Sequence, residues 1–308
     1  MTATTTSTDR AARDHSAGRP RPPRQIFGRR VVRNRLLVGL VRHATLIAVL
    51  TIVLYPLLWM VGASLRPGNE AFGTLNFLTS NPTLENYREG WNFGQLNFSR
   101  FFLNSLAVTT LCVIGNVVAC SMAAYSFARL NFPFKRIMFA LMLGTMLLPY
   151  HVTMVPQYVL FNELAWINTI LPLTVPKFLA TDAFFIFLMV QFIRTLPRDL
   201  DDAALLDGCG HVGIFFRVVI PLSLPALGTT ALFTFINTWN DFLGPLLYLN
   251  RPELWTVTLG LNGFLDATGE SAFGPLFAMA TLSLAPVVGF FLVAQKLLVE
   301  GIATTGLK

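Results

Sequence analysis

Six long apolar runs, separated by short polar segments, organise this chain. They lie at about Ala44–Ser64, Phe101–Phe127, Ile137–Tyr158, within Thr169–Ile193, at Pro225–Leu249 and at Phe273–Val299. A hydrocarbon core of about 30 Å is crossed by roughly 20 apolar residues in a helix, so each run is long enough to span. The pattern predicts an all-α, polytopic membrane helix bundle with six transmembrane helices. The fourth run is the least regular, interrupted by Pro172, Pro176, Lys177 and Asp182. A kinked helix inside a bundle accommodates such breaks, because its neighbours satisfy the freed backbone groups. No internal repeat at a solenoid period occurs.

Composition agrees. Of 308 residues, 54% are hydrophobic and 13% charged, against about 25% charged in a soluble chain. The net charge of +7 is unevenly placed: ten arginines fall between Arg10 and Arg42, ahead of the first run. Basic residues near membrane ends stay in the cytoplasm. An inside N-terminus with six spans puts 18 of the 23 Lys and Arg on the inner side, leaving Arg66, Arg88, Arg100, Lys177 and Arg251 outside. The expectation is N-in, C-in, and no nucleic-acid partner. Residues 1–42, rich in Ser, Thr, Pro and Gly, read as a basic, mostly disordered cytoplasmic tail; 43–308 is the transmembrane domain. A cleaved signal peptide does not fit the late, long first run. Cys112 and Cys120, eight residues apart in one run, read as buried structural thiols.

Two polar stretches carry the remaining information. In the outer loop Pro67–Arg100, Pro82-Thr83-Leu84-Glu85 reads as a capped turn into a short helix, with Thr83 as the cap. Tyr87 and Trp91 then anchor an interfacial surface helix or belong to a docking face. Between the fourth and fifth runs lies an acidic block, Leu196–Leu224. Pro197, Asp199, Asp201 and Asp202 suit a first helical turn, where acids meet the positive end of the dipole. Ala203, Ala204, Leu205 and Leu206 continue the helix, and Gly208, after Asp207, lets the chain reverse. A second helix is expected from near His211–Gly213 towards Pro221. The small residues allow close approach by a partner; an ordinary acid-capped loop is the alternative.

Motifs for catalysis are missing. There is no G-x-x-x-x-G-K-[ST] loop for nucleotide phosphates, no H-E-x-x-H and no G-x-S-x-G elbow. His15, His43, His151 and His211 lack metal-ligand spacing. No cofactor or metal is expected on this chain.

The acidic block resembles the EAA loop of binding-protein-dependent ABC importer permeases. The matching residues are Asp202-Ala203-Ala204-Leu205-Leu206-Asp207-Gly208, an apolar stretch, then Pro221 and Pro225, with Asp202 where the family usually has Glu. Asn104-Ser105, Ala123–Arg129, Trp239-Asn240-Asp241-Phe242, Gln295-Lys296 and the Gly306-Leu307-Lys308 end resemble the carbohydrate branch of that family, on its maltose-type, MalG-like side. The resemblance implies a multi-pass permease of the bacterial inner membrane. It implies as partners a second permease, two copies of an ATPase that binds ATP and Mg, and an extracytoplasmic solute-binding protein delivering a sugar, with Asp201 to Gly208 and Pro221 on the ATPase side. In the fifth run, Asn237, Asn240 and Asp241 are candidates for the translocation path, since ionisable residues in hydrocarbon usually face a bundle interior or a wet cavity; inter-helix hydrogen bonds are the alternative. Asn116 reads as structural. A permease for a non-sugar solute, and an ion-coupled secondary transporter using Asp182 and Asp241, are the rival readings.

Overall fold

The computed structural model describes residues 27–67, 81–92, 97–265 and 272–305, and its regular elements are helices. The basic segment before Phe27 and the Gly306–Lys308 end lie outside the described residues. The chain divides into two compact units, Met1–Pro56 and Leu57–Lys308, with the boundary inside the first helix. That helix, α1 (Phe27–Ser64), starts well ahead of Ala44, so part of the segment expected as a disordered tail is helical.

Within the second unit, α2 (Glu85–Trp91) is followed by α3 (Phe98–Arg129), whose N-terminus is capped where Asn97 Oδ1 accepts from Ser99 N at 2.9 Å. Then come α4 (Lys135–Thr145), α5 (Tyr150–Glu163), α6 (Leu171–Phe178), α7 (Ala183–Thr195) and α8 (Asp199–Leu206). The next helix, α9 (His211–Leu222), contains a π-helical turn at Phe215–Val219. α10 (Leu224–Trp239), α11 (Leu243–Tyr248), α12 (Val257–Asn262) and α13 (Phe273–Thr305) complete the chain.

Among the described residues, four stretches are long and apolar enough to cross a membrane as single spans: Val38–Ser64, Phe98–Arg129, Leu171–Thr195 and Phe273–Lys296. The expected six is reached if each of two bent pairs is one span. α4 and α5 meet at 101° and α9 and α10 at 76°. Pro149 precedes the first turn of α5, and Pro225 in the first turn of α10 lacks the N–H that would continue the α9 ladder. The fifth run departs most from expectation. Its helix ends at Trp239 rather than Leu249, because the Asp241 side chain accepts from Gly244 N at 3.1 Å and so opens α11 as a separate helix.

α3 is the axis of packing, lying against α6, α7 and α10. Around its Arg129 end, Cys120, Ala124, Phe185, Met189, Ile193, Ile214 and Val219 form one apolar core. Around its Phe98 end, Phe98, Phe101, Phe235, Trp239, Phe264 and Met279 form another. The short helix α2 belongs to the second. Asn86 is buried and donates to Ser64 O at 2.8 Å and Arg66 O at 2.7 Å, Tyr87 Oη pairs with Ser64 Oγ at 2.8 Å, and Trp91 stacks on Phe102. Tyr87 and Trp91 thus fasten α2 to the protein, while Glu85, Arg88 and Glu89 form its exposed face. Thr83 does accept from Glu85 N, at 3.1 Å.

Candidate functional site

Two regions gather the polar residues singled out by the sequence. The first is the elbow between α7 and α9. Asp199, Asp201 and Asp202 occupy the first turn of α8, where their charge meets unpaired backbone N–H groups. The helix closes with a Schellman motif: Cys209 N donates to Ala204 O at 2.9 Å and Gly208 N to Leu205 O at 3.0 Å. That closure needs a left-handed residue after Asp207, and Gly208 supplies it with φ +81°. Ala204 and Cys209 pack on the apolar core, while Asp202, Ala203, Asp207 and, in α9, Pro221 are exposed.

Asp201 differs from its neighbours. It points inward, with Oδ2 3.0 Å from Arg129 Nε; the two side chains are 15% and 5% exposed. Arg129 Nη2 also donates to Leu196 O at 3.0 Å, and Tyr125 Oη to His211 O at 3.2 Å. The sequence grouped Asp201 with the other acids of the block and singled out Tyr125 and Arg129 only as part of the Ala123–Arg129 stretch that resembles the family. The signal available was the position of Tyr125 and Arg129 at the end of the second apolar run. Sequence reasoning also overlooked an apolar rim: Leu206 is 90% exposed, Val212 72% and Phe216 62%. A solvent-facing polar helix has no use for such residues.

The second region is a cavity of about 650 Å³ walled by α5, α6, α10 and α11 and by the break between α6 and α7. Tyr150, Gln157, Lys177, Asp182, Asn237, Thr238, Asp241 and Tyr248 line it. Lys177, counted on the outer side by charge, lies inside the Leu171–Thr195 span, where its Nζ donates to Asp182 Oδ2 at 2.8 Å. Asp241 is tethered twice: Oδ1 accepts from Gly244 N, and its carbonyl accepts from Thr258 Oγ1 at 2.7 Å. The rings of Tyr158 and Tyr248 run parallel at 6.3 Å, and Tyr248 Oη is buried without a hydrogen-bond partner. Asn237 and Asp241 thus share a cavity although the helix ends between them. Asn240 is exposed and does not line it. Asn116 is buried and donates to Thr234 Oγ1 at 2.8 Å. Cys112 and Cys120 are buried free thiols.

The other singled-out motifs fasten helices together. Asn104 Nδ2 donates to Glu253 O and Trp255 O at 2.9 and 3.0 Å, Ser105 Oγ accepts from Val257 N at 2.8 Å, and Trp239 Nε1 donates to Ser283 O at 3.1 Å.

Residues 115–304 match the model of the binding-protein-dependent transport system inner membrane component family. The chain belongs to that family. It is 35% identical to a probable ABC transporter permease of Bacillus subtilis, YurM, with 83% of this chain and 84% of the relative covered. It is 33% identical to the arabinooligosaccharides transport system permease AraQ of the same organism, over 83% and 90%, and 30% identical to the trehalose/maltose transport system permease MalG of Thermococcus litoralis, over 83% and 92%. A crystal structure of a bacterial ABC transporter involved in the import of the acidic polysaccharide alginate shares the fold, with a TM-score of 0.74 at 22% identity, covering 86% of this chain and 97% of that one. As an inner membrane component, this transport subunit crosses the bilayer several times.

Proposed function

We propose that this permease forms part of the path by which an ABC importer carries a sugar, of oligosaccharide size, across the inner membrane. The cavity carries the reading. Its hydroxyl, amide, carboxylate and ammonium groups can exchange hydrogen bonds with a polyol. Relatives named for arabinooligosaccharides, diacetylchitobiose and galactooligosaccharides support the same cargo class. Asn237 and Asp241 are the residues of this chain assigned to the path.

The chain works with a second permease, two copies of an ATPase and an extracytoplasmic solute-binding protein. It binds no ATP or Mg itself; these sit on the ATPase. The N- and C-termini and α8 face the cytoplasm. The ATPase receives the outer face of α8, with Asp202 and Asp207 offering polar contacts, Ala203 close approach and Leu206 an apolar knob. ATP shifts the spans between inward- and outward-open states only by its differential affinity for the two. The two acids that an ion-coupled carrier would use are both engaged, Asp182 by Lys177 and Asp241 by Gly244.

Purification of the intact complex, followed by mass spectrometry and uptake assays with a panel of labelled oligosaccharides and amino acids, tests this. The expected result is two ATPase copies, a second permease and ATP-dependent uptake of at least one oligosaccharide. Uptake that survives ATP depletion and collapses with an uncoupler would sink the reading; uptake of amino acids alone would sink the sugar assignment.

A further inference from the structure

The inward-facing pair Arg129 and Asp201 has a cost that its chemistry does not recover. Both side chains are largely buried, yet Asp201 Oδ1 has no hydrogen-bond partner, and Arg129 Nε approaches Asp201 Oδ2 without hydrogen-bond alignment. A buried ion pair rarely adds net stability over a well-packed apolar pair. What it does supply is direction, because moving either group away leaves a charge buried alone. Here the direction is shared with two further bonds. Arg129 holds Leu196 O just before α8, Asp201 lies in the first turn of α8, and Tyr125 holds His211 O just after it. The end of α3 therefore grips the elbow before, within and after its short helix. α3 in turn packs along α6 and α10, two walls of the cavity.

We propose that Arg129 and Asp201 are positioning residues of the transport cycle. They make α8 and α3 move as one body, so that a displacement imposed on the outer face of α8 reaches the cavity instead of being absorbed at the two turns that flank α8. The proposal rests on the reading of α8 as the ATPase-docking helix.

The test uses the complete transporter in nanodiscs, with Cys209→Ser as background and Leu179→Cys as a reporter, since Leu179 lines the cavity and is exposed. The rate of modification by a water-soluble thiosulfonate is read with and without ATP, alongside ATP hydrolysis and melting temperature. With the pair intact, ATP changes the labelling rate at least fivefold. Asp201→Asn and Arg129→Met each bring the change below twofold while hydrolysis stays within twofold of the parent. Arg129→Lys, which keeps the charge, retains more than half of the response even though its melting temperature falls. A merely structural pair would lower hydrolysis, response and melting temperature together, and that result overturns the proposal. So does an undiminished ATP response in Asp201→Asn, or a Lys variant as uncoupled as the Met variant. A separate Ala203→Cys crosslink isolates the docking reading: no crosslink to the ATPase defeats that reading, whereas a crosslink with an undiminished response in Asp201→Asn defeats only the clamp.

Discussion

Gly208 shows how much a single backbone angle can carry. A Cβ there would meet nothing within 4 Å, so space imposes no limit; the limit is φ +81°. A residue with a Cβ in the left-handed region costs about 1–2 kcal/mol. Gly208→Ala should lower stability by about 1 kcal/mol, Gly208→Asn by less, because Asn tolerates that region, and Gly208→Val by more. Thermal unfolding in detergent reads the order Gly, Asn, Ala, Val. Uptake should follow the same order with insertion unchanged, since the turn sets where α9 begins. Equal uptake in all four would remove the turn from the mechanism. Asn86 makes a different kind of contribution. Asn86→Ala leaves the carbonyls of Ser64 and Arg66 without their shared donor, which should cost about 1–3 kcal/mol, and Asn86→Asp should be no better because a carboxylate cannot donate. A melting temperature unchanged in both would show that α2 is held by its aromatic contacts alone.

Helices were legible in the sequence where the membrane dictates them, and illegible where a neighbour does. Apolar runs such as Phe98–Arg129 must be long and continuous, so the second span was readable to within a few residues. Breaks follow no such rule. Pro156 sits inside α5 without ending it, while the gap between α6 and α7 is fixed by Ala180 at φ +55° and by the Lys177–Asp182 pair across it. The acidic elbow was readable because turn chemistry is local: acids in the first turn, then a glycine. Which of its three first-turn acids faces inward was not, since that depends on Arg129, remote in the chain. Helix packing adds a testable case. A Cβ on Gly115 of α3 would lie 2.6 Å from the Phe178 ring of α6. Gly115→Ala should cost about 1–3 kcal/mol by overpacking, and Gly115→Ala/Phe178→Leu should recover at least half of it. A double variant no more stable than the single would show that the close approach of α3 and α6 does not depend on this glycine.

At the scale of the whole molecule, the α4–α5 bend asks what covers it. Among the described residues no side chain of α4 is buried, and Phe161 is the one that is in α5. Met146, Leu147 and Leu148, at the 101° bend, are 45%, 85% and 56% exposed. The N–H groups of Met146, Leu147 and Leu148 are met within the chain by Leu143 O, Gly144 O and Thr145 O, so what the corner offers outward is its apolar side chains. α5 also contributes Tyr150 and Gln157 to the cavity. We expect the second permease of the proposed importer to cover the exposed apolar corner at α4–α5. A cysteine replacing Leu147 should crosslink to that subunit in the assembled transporter, and a spin label there should show low accessibility to dissolved oxygen, which concentrates in lipid. High oxygen accessibility without a crosslink would mean that the bend faces the bilayer, and the second permease would then have to sit elsewhere.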